Sequence, residues 1–397
     1  MRQRLLFPLF LFFIIGTAFS QTPELSKKSY ISVITCGSGE ELYSSFGHSA
    51  FRVQDSVLGI DVVYNYGTFD FNTPNFYSKF ARGKLLYSLS RSRFENFLYS
   101  YELEKRWVKE QILSLSLVEK NELFQFLEHN YLPENRDYKY DFFFNNCSTK
   151  KRDILEQVYG DKVVFKENHI EEQYTFRELI HQNVKTDTWA AFGIDLALGS
   201  VIDKKATPRE HMYLPYYVMK QLANTDFNGK PIVQRERTIL DIEEKNNETY
   251  FLASPLFWLL LFSLFVILIT YIDYKNKVRS RVLDFFLFFI TGIIGHVIIF
   301  LWFFTDHSAT ADNFNILWAF APNLVVTFLI ARNNVLPNWF GKYLWVLWGL
   351  LLLTLILWLL GVQIFSPLII PILLALGIRY LFLHQALKKA NWSNPQN

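Results

Sequence analysis

Five apolar stretches, each close to the ~20 residues that cross a bilayer as a helix, fill the last third of this 397-residue chain. Such segments constrain the fold strongly, because in lipid every backbone polar group needs a partner within the protein. We therefore predict an all-α membrane domain of five transmembrane helices within residues 251–397. The stretches lie at residues 253–272, 283–304, 315–331, 343–361 and 365–383.

The charges between these stretches predict the orientation of the membrane domain. One loop carries Asp306 and Asp312 and another holds Gln363 with no charge, whereas the remaining loops and the C-terminal end are basic. The positive-inside rule places the basic segments in the cytoplasm. Residues 21–250 then lie on the other side of the membrane, and the C-terminus is cytoplasmic. The basic residues concerned are Lys275, Lys277, Arg279, Arg281, Arg332, Lys342, Lys388 and Lys389.

Residues 1–20 have the pattern of a secretory signal peptide. Arg2 and Arg4 precede an apolar core at residues 5–15, and Ala18-Phe19-Ser20 provides a small-x-small cleavage site. The alternative is an uncleaved N-terminal anchor, for which the apolar run is short. In both interpretations, the segment that follows is exported from the cytoplasm.

Residues 21–250 have the composition of a slightly acidic soluble domain, with 29 Lys and Arg against 33 Asp and Glu. The whole chain carries only +3, so nothing in its charge favours a nucleic-acid partner. Alternating apolar runs punctuated by glycine predict strands, and apolar residues at three-to-four spacing predict helices after them. The result is an α+β domain, with strands predicted at 30–35, 49–53 and 62–66, helices at 91–130 and 147–160, and a polar, β-containing connector at 224–250.

Cys147 has the surroundings of a reactive thiol. It follows an aromatic run and Asn146, a good N-cap residue, so it falls in the first turn of the predicted helix. There the helix dipole favours a thiolate, and Lys150 and Lys151 add positive charge. The backbone N–H groups of the turn, from Asn146 to Ser148, could also stabilise an oxyanion. The alternative is a structural disulfide between Cys36 and Cys147.

A thiol nucleophile needs a base, usually histidine, and a group that orients it. His48 is the best candidate, because Gly47 precedes it at the start of a short predicted strand, where the ring could face a cleft. We expect His129 and His169, which lie among charged residues, to be solvated, and His211 remains open. A single histidine on a strand is also commonly structural.

Four segments of the chain resemble one protein family. GSGEELYSSFGHSAFRV (37–53), VVYNYGTFDF (62–71), FFFNNCSTKKRDIL (142–155) and GIDLALGSVID (193–203) together look like the periplasmic domain of the Lnb-type lipoprotein N-acyltransferases of Bacteroidota. The predicted five-span tail is also similar to that family. The order of histidine, polar strand residue and cysteine further resembles circularly permuted papain-like thiol enzymes, including lecithin:retinol acyltransferase.

The resemblance implies a function and a location. It implies transfer of an acyl chain from a phospholipid to the α-amino group of the lipidated N-terminal cysteine of a diacylated lipoprotein, at the periplasmic face of a bacterial inner membrane. Cys147 would be the nucleophile and form a thioester, and His48 would be the base, in a ping-pong cycle. Aminolysis of a thioester runs downhill, so no cofactor is expected, and no metal-ligand pattern appears in the sequence.

Several points stay open at this stage. Asn65 is the preferred orienting group, but strand parity could instead present Tyr64 or Tyr66 to the site, and Glu40 and Glu41 lie just upstream. A membrane-dipping loop is plausible at Phe76 and Tyr77, and Asp195 and Asp203 read as turn or cap residues. The rival functions are a membrane-tethered papain-like hydrolase of peptidoglycan peptides and a non-catalytic scaffold.

Overall fold

A computed structural model of the chain describes residues 22–243, 250–332 and 336–388. The predicted signal peptide at residues 1–20 lies outside the described residues. Within them, the part before residue 244 is built on a seven-stranded sheet in the order β10-β5-β1-β2-β3-β4-β6, and all its recorded pairings are antiparallel. Its strands are β1 (Ser29–Cys36), β2 (His48–Asp55), β3 (Ile60–Thr68), β4 (Leu86–Arg93), β5 (Val108–Leu113), β6 (Asp137–Lys139) and β10 (Val233–Leu240). A small second sheet contains β7 (Val163–Phe165), β8 (Thr225–Phe227) and β9 (Lys230–Pro231).

Helices cover both faces of the large sheet, which confirms the prediction of a domain that combines strands with helices. On one face, Phe51 and Tyr64 pack in a core shared with the helices α3 and α4, and on the other, Ile34 and Val63 pack against α2. The helices of this part are α1 (Phe76–Ala81), α2 (Phe94–Leu103), α3 (Leu117–Tyr131), α4 (Thr149–Tyr159), α5 (Phe176–His181), α6 (Trp189–Ala197), α7 (Pro208–His211) and α8 (Pro215–Ala223).

The prediction of helix over residues 91–130 is wrong at residues 108–113, which form strand β5. Strand β5 separates α2 from α3 and lies between β1 and β10 in the sheet. Its sequence, VKEQIL, holds Ile112 and Leu113, which fit helical spacing as well as strand spacing. Glu110 in this strand is completely buried, where it pairs with Arg52 and Arg237. That tertiary pairing decides the strand, and the local pattern does not reveal it.

Within the described residues, four helices are long and apolar enough to cross a membrane. The third predicted stretch instead forms α11 (Asn323–Arg332), ten residues or about 15 Å of helix, after an irregular segment. The prediction of five spanning helices is therefore not confirmed in full. The four long helices are α9 (Pro255–Asn276), α10 (Arg281–Phe303), α12 (Asn338–Leu359) and α13 (Ile370–Lys388).

Small residues and buried polar groups hold these helices together. A Cβ on Gly292 of α10 would lie 2.3 Å from the Leu324 nitrogen, so glycine is what lets α11 approach α10 this closely. Arg379 of α13 is fully buried and pairs with Asp273 and Asp284 at 2.7 Å each. A buried charge of this kind is tolerated because it is paired on both sides.

The segment at residues 193–203 joins the two parts of the chain. Gly199 N–H donates to Ala309 O at 3.0 Å, and Asp203 Oδ2 accepts from Ile364 N–H at 3.1 Å. Asp203 and Asp195 also share the buried guanidinium of Arg177. Both carboxylates therefore fix the segment through Arg177, and Asp203 also bonds an outer loop of the membrane helices, which corrects their assignment as turn or cap residues. We call this contact the dock.

Candidate active site

His48 lies at one end of the sheet, where β1 ends and β2 begins. Gly47 precedes it at φ +78°, and a Cβ there would lie 2.7 Å from the Cys36 carbonyl oxygen. A larger residue at position 47 would clash as well as strain the backbone. The glycine therefore lets the chain turn tightly into β2, and Cys36 and His48 become directly opposite partners.

Of the three candidate residues on β3, Asn65 contacts the imidazole of His48. His48 Nε2 lies 2.5 Å from Asn65 Oδ1, so the ring N–H donates to the amide oxygen and Nδ1 is left for the thiol. Tyr64 and Tyr66 project to the opposite face, where their hydroxyls bond Glu128 and Asn130. Glu40 and Glu41 are exposed in the turn before β2.

Cys147 reaches the same end of the sheet from the turn that starts α4. Asn146 Oδ1 accepts from the N–H groups of Ser148 and Thr149 at 2.8 and 2.9 Å, so Asn146 does cap this turn. The regular helix nevertheless begins at Thr149, two residues later than predicted. Asn146 also donates through Nδ2 to Phe142 O and Tyr213 O, which fixes the whole turn in place.

These bonds narrow the choice of oxyanion donor. The backbone N–H of Ser148 and the side-chain NH2 group of Asn146 already have acceptors. Neither group is therefore available to a substrate in this arrangement. Among the described residues, no acceptor is recorded for the Cys147 N–H. Of the backbone N–H groups of residues 146–148, that of Cys147 is therefore the one without a recorded acceptor.

A glycine in β3 lies against Cys147, in a backbone conformation that favours glycine. The β3–β4 pairing shifts register between Tyr66 and Thr68, and Gly67 adopts φ +92° at this bulge. A Cβ on Gly67 would lie 3.5 Å from the Cys147 Cβ and 3.7 Å from the Tyr140 ring. Bulges commonly re-aim side chains beside functional sites.

The surroundings of Cys147 favour its thiolate. Burial alone would raise the pKa of the thiol, but the charge of His48, a hydrogen bond to His48, the charge of Lys151 and a contact with Ser148 together lower it to about 6. The Ser148 Oγ lies 3.8 Å from the sulfur. Half or more of Cys147 is therefore ionised at neutral pH, as a nucleophile requires.

Lys151 is an unusual member of the site. Its side chain is completely buried, its Nζ has no hydrogen-bond partner among the described residues, and it lies 4.9 Å from the ring centres of both Phe51 and Tyr66. Burial lowers its pKa to about 7, although the Cys147 thiolate opposes that shift. Sequence reasoning noted its charge but gave no signal that the ammonium would be buried.

The two cysteines are not bridged, since both thiols are free. Cys36 is 1% exposed, and burial raises the pKa of its thiol to about 12. A structural Cys36–Cys147 disulfide is therefore not present, and Cys36 lacks the ionisation that would make it a nucleophile.

The other four histidines of residues 22–243 are not among the groups recorded next to Cys147. His211 is fully buried with Nδ1 donating to Thr207 O, and His181 bonds Asp195 in the dock. His129 contacts Asn135 at the surface, whereas His169 is half-buried rather than solvated. Within the described part of the chain, no group of three His, Cys, Asp or Glu side chains is placed to hold a metal ion.

Comparison with protein-family models gives two matches that together cover most of the chain. Residues 22–182 match the Lnb N-terminal periplasmic domain, and residues 245–391 match the Lnb transmembrane domain. Searches of curated proteins and of solved structures found no match. The first match includes His48, Asn65 and Cys147, and the second includes all four long helices.

Proposed function

This chain belongs to the Lnb family, and we propose that it is a lipoprotein N-acyltransferase that moves an acyl chain from a phospholipid to the α-amino group of a diacylated lipoprotein's N-terminal cysteine. The observation that carries the proposal is the group of Cys147, His48 and Asn65 at one end of the sheet, with a thiol pKa of about 6. A thiolate, an imidazole and an orienting amide are what acyl transfer through a thioester needs.

In the first half-reaction, the Cys147 thiolate attacks the ester carbonyl of a phospholipid. The carbonyl becomes a tetrahedral oxyanion, which the Cys147 N–H stabilises. As the ester C–O bond breaks, His48 gives its proton to the departing alkoxide, and a lysophospholipid leaves. The acyl group remains on sulfur as a thioester.

In the second half-reaction, the amine of the lipoprotein attacks the thioester carbonyl. Neutral His48 accepts the proton that the amine loses, the C–S bond breaks, and the thiolate returns with the imidazolium beside it. Asn65 accepts a hydrogen bond from His48 Nε2 throughout, so Nδ1 faces the sulfur in both steps. This arrangement supports the papain-like assignment, in which an asparagine orients the catalytic histidine.

The position of the site relative to the membrane helices supports lipid substrates. Ser308, in the loop after α10, donates to Asp141 Oδ2 at 2.9 Å, six residues before Cys147. The nucleophile turn thus rests on an outer loop of the membrane part. We place residues 21–250 in the periplasm and residues 251–397 in the inner membrane, where both substrates present their ester or amine at the outer surface.

We also propose that the chain crosses the membrane five times, with the third crossing made by α11 and the irregular segment before it. Asn315 at the start of this stretch donates to Asp195 O in the dock, and Ile330 O near its end accepts from Arg279 in the loop between α9 and α10. The two contacts lie at opposite ends of α10, which supports a complete crossing.

The proposal is tested by mass spectrometry of lipoprotein N-termini from cells with and without this gene. We expect a third acyl chain that depends on the gene and is lost in Cys147→Ser. Cys36→Ser is the matched control, because that thiol is buried and should be dispensable. Triacylation that persists without the gene would overturn the proposal.

Two further variants test the roles of His48 and Asn65, and an assay of the products separates acyl transfer from the rival hydrolase. His48→Ala should stop product formation while the protein stays folded, and Asn65→Ala should lower kcat on the order of 100-fold by misplacing the imidazole. With purified protein in liposomes, the expected products are a lysophospholipid and an N-acylated peptide. Release of peptidoglycan fragments without either product would favour the hydrolase.

A further inference from the structure

A row of aromatic side chains connects β3 to the membrane side of the molecule. The segment from Phe69 to Lys84 contains α1 and links β3 to β4. Phe76 is buried at its centre, contrary to the expectation of membrane contact, whereas Phe71, Tyr77 and Phe80 are 66%, 80% and 53% exposed. Rings this large are rarely left in water on a monomer without a partner surface.

This segment is bonded to the outer end of a membrane helix. Helix α10 ends at Phe303, and only three residues later Asp306 N–H donates to Arg82 O at 2.9 Å. His307 Nε2 lies 3.1 Å from Phe80 O. Three residues span about 10 Å at most, so the exposed rings lie close to the level at which α10 leaves the bilayer. Phe303 and Phe304 are themselves exposed, as expected of an interfacial aromatic belt.

Basic side chains accompany the exposed rings. Lys79, Arg82 and Lys84 lie on or just after α1, and none of them pairs with a carboxylate among the described residues. Aromatic rings interleaved with basic groups match the interface of a bilayer, where apolar chains meet lipid phosphates. We call Phe71, Tyr77, Phe80, Lys79, Arg82 and Lys84 the interfacial patch.

The patch is joined to the nucleophile by rings in contact. Phe71 packs on Phe69 at 5.1 Å between ring centres, Phe69 packs on Tyr87 at 5.3 Å, and Tyr87 stacks on Tyr140 at 4.1 Å. Tyr140 lies beside Gly67, which in turn faces Cys147. A row of rings therefore runs from the membrane interface to the neighbourhood of Cys147. We call the four aromatic residues Phe71, Phe69, Tyr87 and Tyr140 the ring row.

We propose that the ring row is the binding site for the acyl chain of the donor phospholipid. The ester carbonyl lies at Cys147, the chain runs along the rings back toward the bilayer, and the interfacial patch rests on the outer leaflet with its basic groups against lipid phosphates. This inference rests on the proposed function for its substrate, but the membrane contact can be measured without any catalysis.

The first experiment measures membrane contact in an inactive protein. Full-length Cys147→Ser carrying Tyr77→Cys is labelled with a fluorophore and placed in liposomes of phosphatidylethanolamine and phosphatidylglycerol with brominated acyl chains. We expect the label to be quenched. The matched control is Leu58→Cys, an exposed position in the turn at the other end of β3, about 30 Å away by strand length. No quenching at position 77, or equal quenching at both positions, would overturn the proposal.

The second experiment measures loading of Cys147 in active protein. Arg82→Gln/Lys84→Gln should slow thioester formation from long-chain phospholipid in liposomes, on the order of fivefold for each charge removed, and Phe71→Ser/Tyr77→Ser should slow it as well. Loading of Arg82→Gln/Lys84→Gln from a soluble dihexanoyl phospholipid should not change, because neither side chain belongs to the ring row. Lys27→Gln/Lys28→Gln and Val57→Ser/Leu58→Ser, at the far end of the sheet, are the controls and should load normally.

The outcomes separate the two proposals. If no variant and no unsubstituted protein forms a thioester, the proposed function fails, and the quenching result still decides whether the patch contacts lipid. If thioester forms normally in every patch variant, the function stands and the inference is wrong. Equal slowing of Arg82→Gln/Lys84→Gln with long-chain and soluble donors would also overturn it, since that result indicates damage at Cys147 rather than lost lipid contact.

Discussion

Cys36 and Cys147 carry the same side chain but differ in ionisation because of what surrounds each sulfur. Cys36 is buried and Cys147 is half-buried, and burial alone would raise the thiol pKa in each case. Only Cys147 has an imidazole in contact and a lysine one helical turn away, and these outweigh its burial. Because the two thiol pKa values shift in opposite directions, only Cys147 should be reactive at neutral pH.

We therefore predict a distinct pH profile for alkylation of Cys147. The thiolate is the reactive form, so the iodoacetamide rate should rise as pH increases through about 6 and then level off. In urea-unfolded protein the rise should move toward the ordinary value of 9.0. Mass spectrometry of the alkylated peptides measures both profiles. Modification of folded Cys36 at a similar rate would contradict the assignment.

A second prediction concerns Lys151. Lys151→Met keeps the length of the side chain but removes a positive charge that lowers the pKa of Cys147, so alkylation at pH 6 should slow on the order of threefold to tenfold. The melting temperature should stay the same or rise, because the variant no longer buries an ammonium without a hydrogen-bond partner. An unchanged pH profile would show that Lys151 acts only in packing. Lys150→Met, one residue earlier and only half-buried, is the control.

At the scale of single residues, most of the candidate site could be predicted from the sequence. Cys147, His48 and Asn65 could be chosen because their residue types and neighbours are local signals. Lys151 could not be chosen, since its burial depends on Phe51 and Tyr66, which come from two different strands. Arg177 was missed for the same reason: its partners Asp195 and Asp203 become close only when the dock forms.

Secondary-structure elements followed the sequence wherever periodicity was unambiguous. The three predicted N-terminal strands and the four long apolar helices are present. The prediction was wrong at residues 108–113, which form β5, and it is not confirmed at α11, where an apolar stretch of suitable length does not form one continuous helix. At β5 the pairing with β1 and β10, which are distant in sequence, overrides the local pattern.

The close approach of α10 and α11 predicts that alanine at position 292 destabilises the protein. In Gly292→Ala the added methyl group would meet the Leu324 backbone at 2.3 Å, so α11 must move, at a cost of about 1–3 kcal/mol of unfolding free energy. Gly349→Ala in α12 is the control, because nothing lies within 4 Å of the added carbon and alanine favours a helix. Thermal unfolding in detergent compares the two. Equal stability would mean that this helix contact is looser than described.

At the scale of the whole molecule, the dock and the interfacial patch both bear on how the soluble domain is oriented at the membrane. A soluble domain on a single connection would sample many orientations above the membrane, and Cys147 would rarely meet a lipid ester. Gly199 of the dock, Arg82 and Asp141 all bond the loop after α10, whereas Asp203 of the dock bonds a second loop at Ile364. Two separate attachments determine orientation as well as distance, which a single connection cannot do.

This arrangement predicts that the connection between the two parts is dispensable once the chain has folded. A protease site inserted between Glu243 and Tyr250, which are both exposed, should allow cleavage of the purified protein, and the two fragments should remain together on a size-exclusion column. Gly199→Ala should separate them after cleavage, because its Cβ would lie 1.8 Å from the Ala311 oxygen and force the dock apart. Gly193→Ala lies in the same segment with open space around it and should leave the fragments associated. Separation of the cleaved fragments without any substitution would show that the connection, and not the dock, holds the site at the membrane.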